Sequence, residues 1–157
     1  MNWRDVIVDV DMTQIKIKVA KMSYERFEYY VGDILKYDGF NLVMVTDYSG
    51  DYGADLIIEK NGIRTAVQTK YTRTTKISLI AAIQEAVTAR AYYKCHNSMV
   101  VTNGPAPNQG IKLAELNNCR IIAGSEFWSL AEKHETKCSQ QFSSTVSKRL
   151  LRKAKSK

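Results

Sequence analysis

The sequence predicts an α/β domain with a mixed central β-sheet flanked by helices. Three observations carry this: helix-period apolar spacing from Phe27, three consecutive strand-like runs between Asn41 and Lys70, and strand–helix alternation from there to about residue 135. The implied order is α-β-β-β-α-β-α-β-α, in which early hairpin pairing is followed by βα crossovers. At 157 residues, 45% hydrophobic with two prolines, the chain is long enough to bury a core without a disulfide or metal staple.

Residues 6–19 alternate in part, with Val8, Val10 and Met12, then Ile15, Ile17 and Val19 set against Lys16 and Lys18, which predicts an N-terminal strand or hairpin. A helix over 24–38 follows. Ser23 can cap it, Glu25 sits in its first turn, Phe27, Val31, Ile34 and Leu35 recur at helical spacing, and Gly39 terminates it. Asn41–Thr46, Asp55–Glu59 and Arg64–Lys70 read as strands, with the turn-rich loop Tyr48–Gly53 between the first two. Then come a helix at about 78–95, a strand Met99–Thr102, a helix at about 109–117, a strand Arg120–Ile122 and a helix from Ser125 to about Glu135. The expected organisation is an N-terminal extension over 1–22, a core over 23–137, and a polar and basic tail over 138–157.

The charge is unevenly spread. Of the net +7, the last ten residues, KRLLRKAKSK, supply six basic and no acidic side chains, which leaves +1 over residues 1–147. Lys148, Arg149, Arg152, Lys153 and Lys155 are therefore the candidate nucleic-acid contacts, because cations beside phosphates gain affinity by releasing counterions. Cys95, Cys119 and Cys138 form an odd set without CxxC spacing, which supports neither a disulfide framework nor a cysteine zinc site. A cytosolic protein is expected, since the first residues carry acids where a signal peptide would be basic and no apolar run approaches the ~18 residues of a membrane span. No nucleophile elbow, P-loop or dinucleotide fingerprint is present, so acyl transfer, triphosphate hydrolysis and a nicotinamide or flavin cofactor have no support.

The Asn61-Gly62 pair fixes a hairpin register, because a two-residue type I′ turn needs positive φ at both central positions. Lys60 then opposes Ile63, Glu59 opposes Arg64, Ile57 opposes Ala66, and Asp55 opposes Gln68. Lys70, two residues beyond Gln68, points to the same face, while Leu56, Ile58 and Val67 point to the other. On a helical wheel with Phe27 at zero, Glu28 falls at about 100°, at the border of an apolar arc that includes Tyr24, while Glu25 faces water. Two carboxylates, an amide oxygen and a lysine suit a hard cation such as Mg²⁺, which prefers oxygen ligands and keeps waters that substrate phosphates can replace.

Gly53-Ala54-Asp55 followed by Gln68-Thr69-Lys70 resembles the D…QxK variant of the PD-(D/E)xK nuclease superfamily. The wider pattern is similar to its Mrr-like, restriction-endonuclease-like branch: Phe27-Glu28, Asp38-Gly39-Phe40, the run Ser49 to Asp55, Val67 to Tyr71, and Met99 to Gly104 with the short helix after it. The resemblance spans about residues 24–134 and implies a restriction-endonuclease-like core that hydrolyses DNA with Mg²⁺ or Mn²⁺, leaving a 5′-phosphate. It makes Asp55 the central metal ligand, Glu28 an outer ligand, Gln68 an uncharged oxygen ligand in an acid's usual place, the Thr69 carbonyl a further ligand, and Lys70 the water-positioning group. A homodimer is expected where both strands are cut. A Holliday-junction resolvase, or a DNA-binding module that has lost efficient cleavage at Gln68, are the alternatives left open.

Each residue also has a plain structural use: Asp55 can cap a turn, Gln68 can be a satisfied strand amide, and Lys70 can snorkel at a strand end. Asp51 reads as a turn residue, His96 and His134 as surface or satisfied histidines, and Tyr92, Tyr93, Leu79, Ile80, Ile83 and Val87 as core.

Overall fold

A computed structural model describes residues 10–46 and 52–155. Five strands form one sheet in the order β1-β2-β3-β4-β5, with β1 Asn41–Val45, β2 Leu56–Lys60, β3 Ile63–Lys70, β4 Asn97–Thr102 and β5 Cys119–Ile122. The β1–β2 and β2–β3 pairs are antiparallel, and β3–β4 and β4–β5 are parallel. This is the mixed α/β sheet of a restriction-endonuclease-like core, with helices on both faces.

The Asn61-Gly62 turn sets the hairpin as its chemistry dictates. Both residues have positive φ, and Lys60, Glu59 and Ile57 pair with Ile63, Arg64 and Ala66. One face of the sheet, carrying Leu56, Ile58, Val67, Met99 and Val101, is covered by α1 Met12–Ala20, α2 Tyr24–Leu35 and the first turns of α5 Gly124–Lys155. The other face, carrying Ile57, Ala66 and Val100, is covered by α3 Ile80–Tyr92 and α4 Asn108–Leu116.

Helix α2 begins where Ser23 Oγ accepts the Arg26 amide at 3.1 Å, and its final turn tightens to a 3₁₀ turn at Lys36–Asp38. Gly39, at φ +86°, then closes it in a conformation that costs other residues a steric penalty. Phe27, Val31, Ile34 and Leu35 are fully buried, as their spacing requires, but Tyr24 is 67% exposed and lies edge-on to Tyr71 instead of in the core.

Two segments differ from the sequence reading. Residues 12–20 form a helix, not a strand: Asp11 caps it by accepting the Thr13 amide at 2.9 Å, and Ile15 and Val19 enter the core one turn apart while Ile17 is exposed. The part of the expected hairpin over residues 6–9 lies outside the described residues. Helix α5 does not stop near Glu135 or Lys137 but continues through the polar run to Lys155, 32 residues or about 48 Å long. Nothing after Gly124 breaks it, since no glycine or proline follows. Among the described residues, no helix is long and apolar enough to cross a membrane.

Lys18, Tyr30 and Glu135 lock α1, α2 and α5 together. Lys18 Nζ donates to both Glu135 oxygens at 2.8 and 2.9 Å, and the Tyr30 hydroxyl donates to Oε1 at 3.1 Å. Burial, reinforced by the Glu135 charge, pushes the Tyr30 hydroxyl far above its ordinary pKa. His134 packs edge-on against Tyr30 and Tyr37, and burial lowers its pKa; His96 Nδ1 accepts the Arg64 amide at 3.2 Å. His134 Nε2 lies 3.8 Å from the Cys138 thiol, and among the described residues neither histidine belongs to a group of three or more side chains that could hold a metal. All three cysteines are free.

Candidate active site at the carboxyl edge of the sheet

Parallel strands gather ligand-facing groups at their carboxyl ends, and a cavity of about 350 Å³ opens where β3 ends. Asp55, Gln68, Thr69 and Lys70 form its floor; Tyr24 and Glu28 of α2 enter from one face of the sheet, Ala81, Ala82 and Glu85 of α3 from the other. The four residues singled out by sequence therefore share one cleft, together with Thr69.

The Asp55 backbone is pinned on both sides. Its amide donates to the Val67 carbonyl at 2.8 Å, its carbonyl accepts from the Thr46 amide at 2.9 Å, and the Thr46 hydroxyl bonds the Ala54 carbonyl. The regular ladder ends at Leu56–Val67, so Asp55 does not pair face-on with Gln68 as the extrapolated register expects. Instead, Asp55 Oδ2 accepts from both the Thr69 amide and the Thr69 hydroxyl, each at 2.7 Å. These bonds fix the carboxylate's orientation. Since Val67 turns its carbonyl toward Asp55, the strand's two-residue period turns the Thr69 backbone the same way, toward the cleft.

Glu28 is 8% exposed, and its place beside fully buried Phe27 follows from the wheel. Gln68 supplies the least ordinary feature of the site: its Oε1 is buried without a hydrogen-bond partner. An unsatisfied buried acceptor costs about 1–3 kcal/mol and is rare, so this oxygen is available to a partner from outside the chain. Lys70 lies exposed at the cleft's lip.

Gly53 explains how α3 reaches the site. At φ +85° it sits against the α3 backbone, and a β-carbon there would lie 2.5 Å from the Glu85 carbonyl oxygen and 2.7 Å from its Cα. Only glycine allows both the turn and the contact. Glu85 is the cleft acid that sequence reasoning missed; it is the sole carboxylate in IAAIQEAVTARAY, and the small residues Ala81 and Ala82 one turn earlier were the available signal for a close approach.

Other expectations fare differently. Leu79 and Ile83 are core residues, but Tyr92 is 54% exposed and stacks on Tyr52 at 3.7 Å between ring centroids, and Ile80 is at the surface. Asp51 lies outside the described residues. Lys148, Arg149, Arg152 and Lys153 are exposed on the last turns of α5, which also contain Lys155, and none of them lines the cleft.

The donor set tests well against a hard divalent cation. Carboxylates of Asp55, Glu28 and Glu85, the orphaned Gln68 oxygen and the Thr69 carbonyl are all oxygen ligands, the class that Mg²⁺ and Mn²⁺ take. Among the described residues, no three His, Cys, Asp or Glu side chains converge closely enough to hold a metal unaided. A cation in the cleft would need amide and backbone oxygens to complete its ligand set.

Comparison with known proteins agrees with this architecture. The crystal structure of AF1548, a protein of unknown function, is similar in fold, with a TM-score of 0.55 at 14% identity over 65% of this chain and 62% of that one. The chain thus spans less than two thirds of that protein's length. No curated protein matches. The family model Mrr_cat, described as restriction endonuclease, matches residues 19–131, a span that holds the whole cleft from Tyr24 to Glu85, and the chain belongs to this restriction-endonuclease family.

Proposed function

We propose that the protein is a divalent-metal-dependent endonuclease that hydrolyses DNA phosphodiester bonds, with Mg²⁺ or Mn²⁺ held in the cleft at the end of β3. The observation that carries this reading is the buried, unpartnered Gln68 oxygen beside Asp55 and Lys70, in a nuclease family whose matched span contains all three.

Asp55 would be the central ligand, with Glu28, Gln68 and the Thr69 carbonyl as further oxygen donors. A divalent cation bound there would supply Lewis-acid activation of a water molecule and offset charge on the phosphoryl oxygens. The chain's own residues do the positioning. Thr69 holds the Asp55 carboxylate by two hydrogen bonds, so the ligand needs no reorganisation when substrate arrives. The Lys70 ammonium at the lip donates to a phosphoryl oxygen or to the attacking water, orienting it in line with the leaving oxygen. Gln68 contributes oxygen without charge, so the site binds its ion less tightly than one with a third acid in that place.

The cations of α5, Lys148, Arg149, Arg152, Lys153 and Lys155, supply a second, sequence-independent grip on DNA. A homodimer would place two clefts on opposite strands. The free thiols suit the reducing cytosol, or the host cell's cytosol if the gene is viral.

Incubating the protein with supercoiled plasmid, methylated plasmid, linear DNA and a four-way junction, each with Mg²⁺, Mn²⁺ or EDTA, tests the proposal. Cleavage that disappears in EDTA and in Lys70→Ala supports the nuclease, and a strong preference for the junction would make it a resolvase. DNA bound but never cut would favour the second reading, a binding module on the same fold, which the lack of three convergent His, Cys, Asp or Glu ligands among the described residues also suits.

A further inference from the structure

A second cavity, of about 400 Å³, lies beside the cleft along the carboxyl edge of the parallel strands, where β4 and β5 end at Asn103, Gly104 and Gly124. Its charge is the reverse of the cleft's. Lys16, Arg73, Thr72, Thr74 and Thr75 line it, together with Trp128, and among the described residues no acid does.

Both cations are held in place. Lys16 Nζ sits 5.6 Å from the centroid of the Trp128 ring, a cation–π contact that steers a flexible side chain over the cavity. Arg73 donates from Nε to the Ala20 carbonyl at 3.3 Å and from Nη2 to the Met22 carbonyl at 3.2 Å, with its guanidinium 5.2 Å from the centroid of the Tyr71 ring. Nη1 makes no hydrogen bond among the described residues. The walls are equally fixed: Asn103 bonds both the amide and the carbonyl of Thr72, at 2.8 and 2.7 Å, and a β-carbon on Gly104 would meet Thr72 Cγ2 at 2.6 Å.

Tyr71 joins the two cavities. It lines the cleft, stacks under Arg73, and donates its hydroxyl to the Val19 carbonyl of α1 at 2.9 Å, on the helix that carries Lys16. From Lys70 to Arg73 the chain spans at most about 10 Å, and a DNA strand advances about 3.4 Å along the helix axis per nucleotide. The basic cavity is therefore within about three nucleotides of the cleft.

We propose that this cavity is a phosphate subsite for the same DNA strand, with Lys16 and Arg73 binding a phosphodiester that flanks the one in the cleft and Trp128 positioning Lys16. The inference rests on the nuclease reading for the direction of the strand. Two anchored cations with no acid beside them among the described residues suit an anion, and a phosphodiester in particular by continuity with a site built to take its neighbour.

The test is the salt dependence of DNA binding, measured by fluorescence anisotropy in EDTA so that cleavage plays no part. Lys16→Ala and Arg73→Ala should each weaken binding and flatten the log–log salt slope by about 0.9 on duplex DNA, the value of one lost phosphate contact. Lys112→Ala, an exposed lysine on α4 across the sheet, serves as the control and should leave the slope unchanged. Lys16 is exposed and its loss should not disturb folding, so it decides the matter if Arg73→Ala unfolds. Unchanged slopes in Lys16→Ala, or an equal effect of Lys112→Ala, overturn the subsite. Inorganic phosphate competing with DNA in wild type but not in Lys16→Ala would support it. Wild-type protein that shows these slopes yet never cuts with Mg²⁺ would retain the subsite and lose the nuclease; cutting with flat slopes would do the reverse.

Discussion

Replacing Gln68 by methionine separates a structural glutamine from one that awaits a cation. Methionine has a similar length and volume but no acceptor, so the variant removes the buried oxygen that lacks a partner while preserving packing. The unsatisfied acceptor costs about 1–3 kcal/mol. For a chain of this size, relief of about 2 kcal/mol raises Tm by roughly 6 °C. Thermal unfolding in EDTA should therefore show Gln68→Met melting above wild type. Adding Mg²⁺ should reverse the order of response: wild type gains stability by mass action, by about 2.7 kcal/mol at a hundredfold excess over Kd, and the variant gains far less. Gln68→Glu, which restores charge, should bind Mg²⁺ more tightly than wild type. A Gln68→Met protein that melts at or below wild type in EDTA would mean that Oε1 is satisfied, and the strongest argument for a cation in the cleft would go with it.

Three further outcomes follow from the geometry. Gly53→Ala should cost about 2–4 kcal/mol in urea unfolding, from the left-handed conformation and the overlap with the Glu85 backbone together, and a loss below about 0.5 kcal/mol would contradict that close approach. Tyr30 is neutral in the fold and its pKa is raised, so its contribution is complete below the ordinary tyrosine value near 10 and is lost at up to about 1.4 kcal/mol per pH unit above it. The stability advantage of wild type over Tyr30→Phe should accordingly shrink between about pH 10 and pH 11, where a constant gap would refute the buried phenol. Replacing Lys148, Arg149, Arg152 and Lys153 together by alanine should lower the salt slope of duplex binding by as much as about 3.6, with no change if α5 does not touch DNA.

The legible parts of the molecule are those governed by short-range rules. Asn61-Gly62 dictates a turn, the turn dictates the register, and the register carries Gln68 and Lys70 to one face; Ser23 and Gly39 bound the helical stretch that turns Glu28 inward. The misread parts are those where two rules compete. Ile15, Ile17 and Val19 fit a strand's alternation, but Met12, Ile15, Val19 and Met22 also recur at helical spacing, and packing against α5 favours the helix. The run from Cys138 to Ser147 has the polar composition of a linker, yet it contains no helix breaker. Glu85 and the bonds from Thr69 to Asp55 depend on how α3 docks on Gly53 and on where the ladder ends, which only tertiary packing settles.

The central claim is that Asp55 would hold a divalent cation on which DNA hydrolysis in this cleft depends, and the most direct measurement is plasmid cleavage in Mg²⁺ by wild type and by Asp55→Ala, with the product ends mapped. The account predicts cuts bearing 5′-phosphates and at least about a hundredfold loss in a variant that remains folded and still binds DNA. Undiminished cleavage by Asp55→Ala, or by wild type in EDTA, would contradict it.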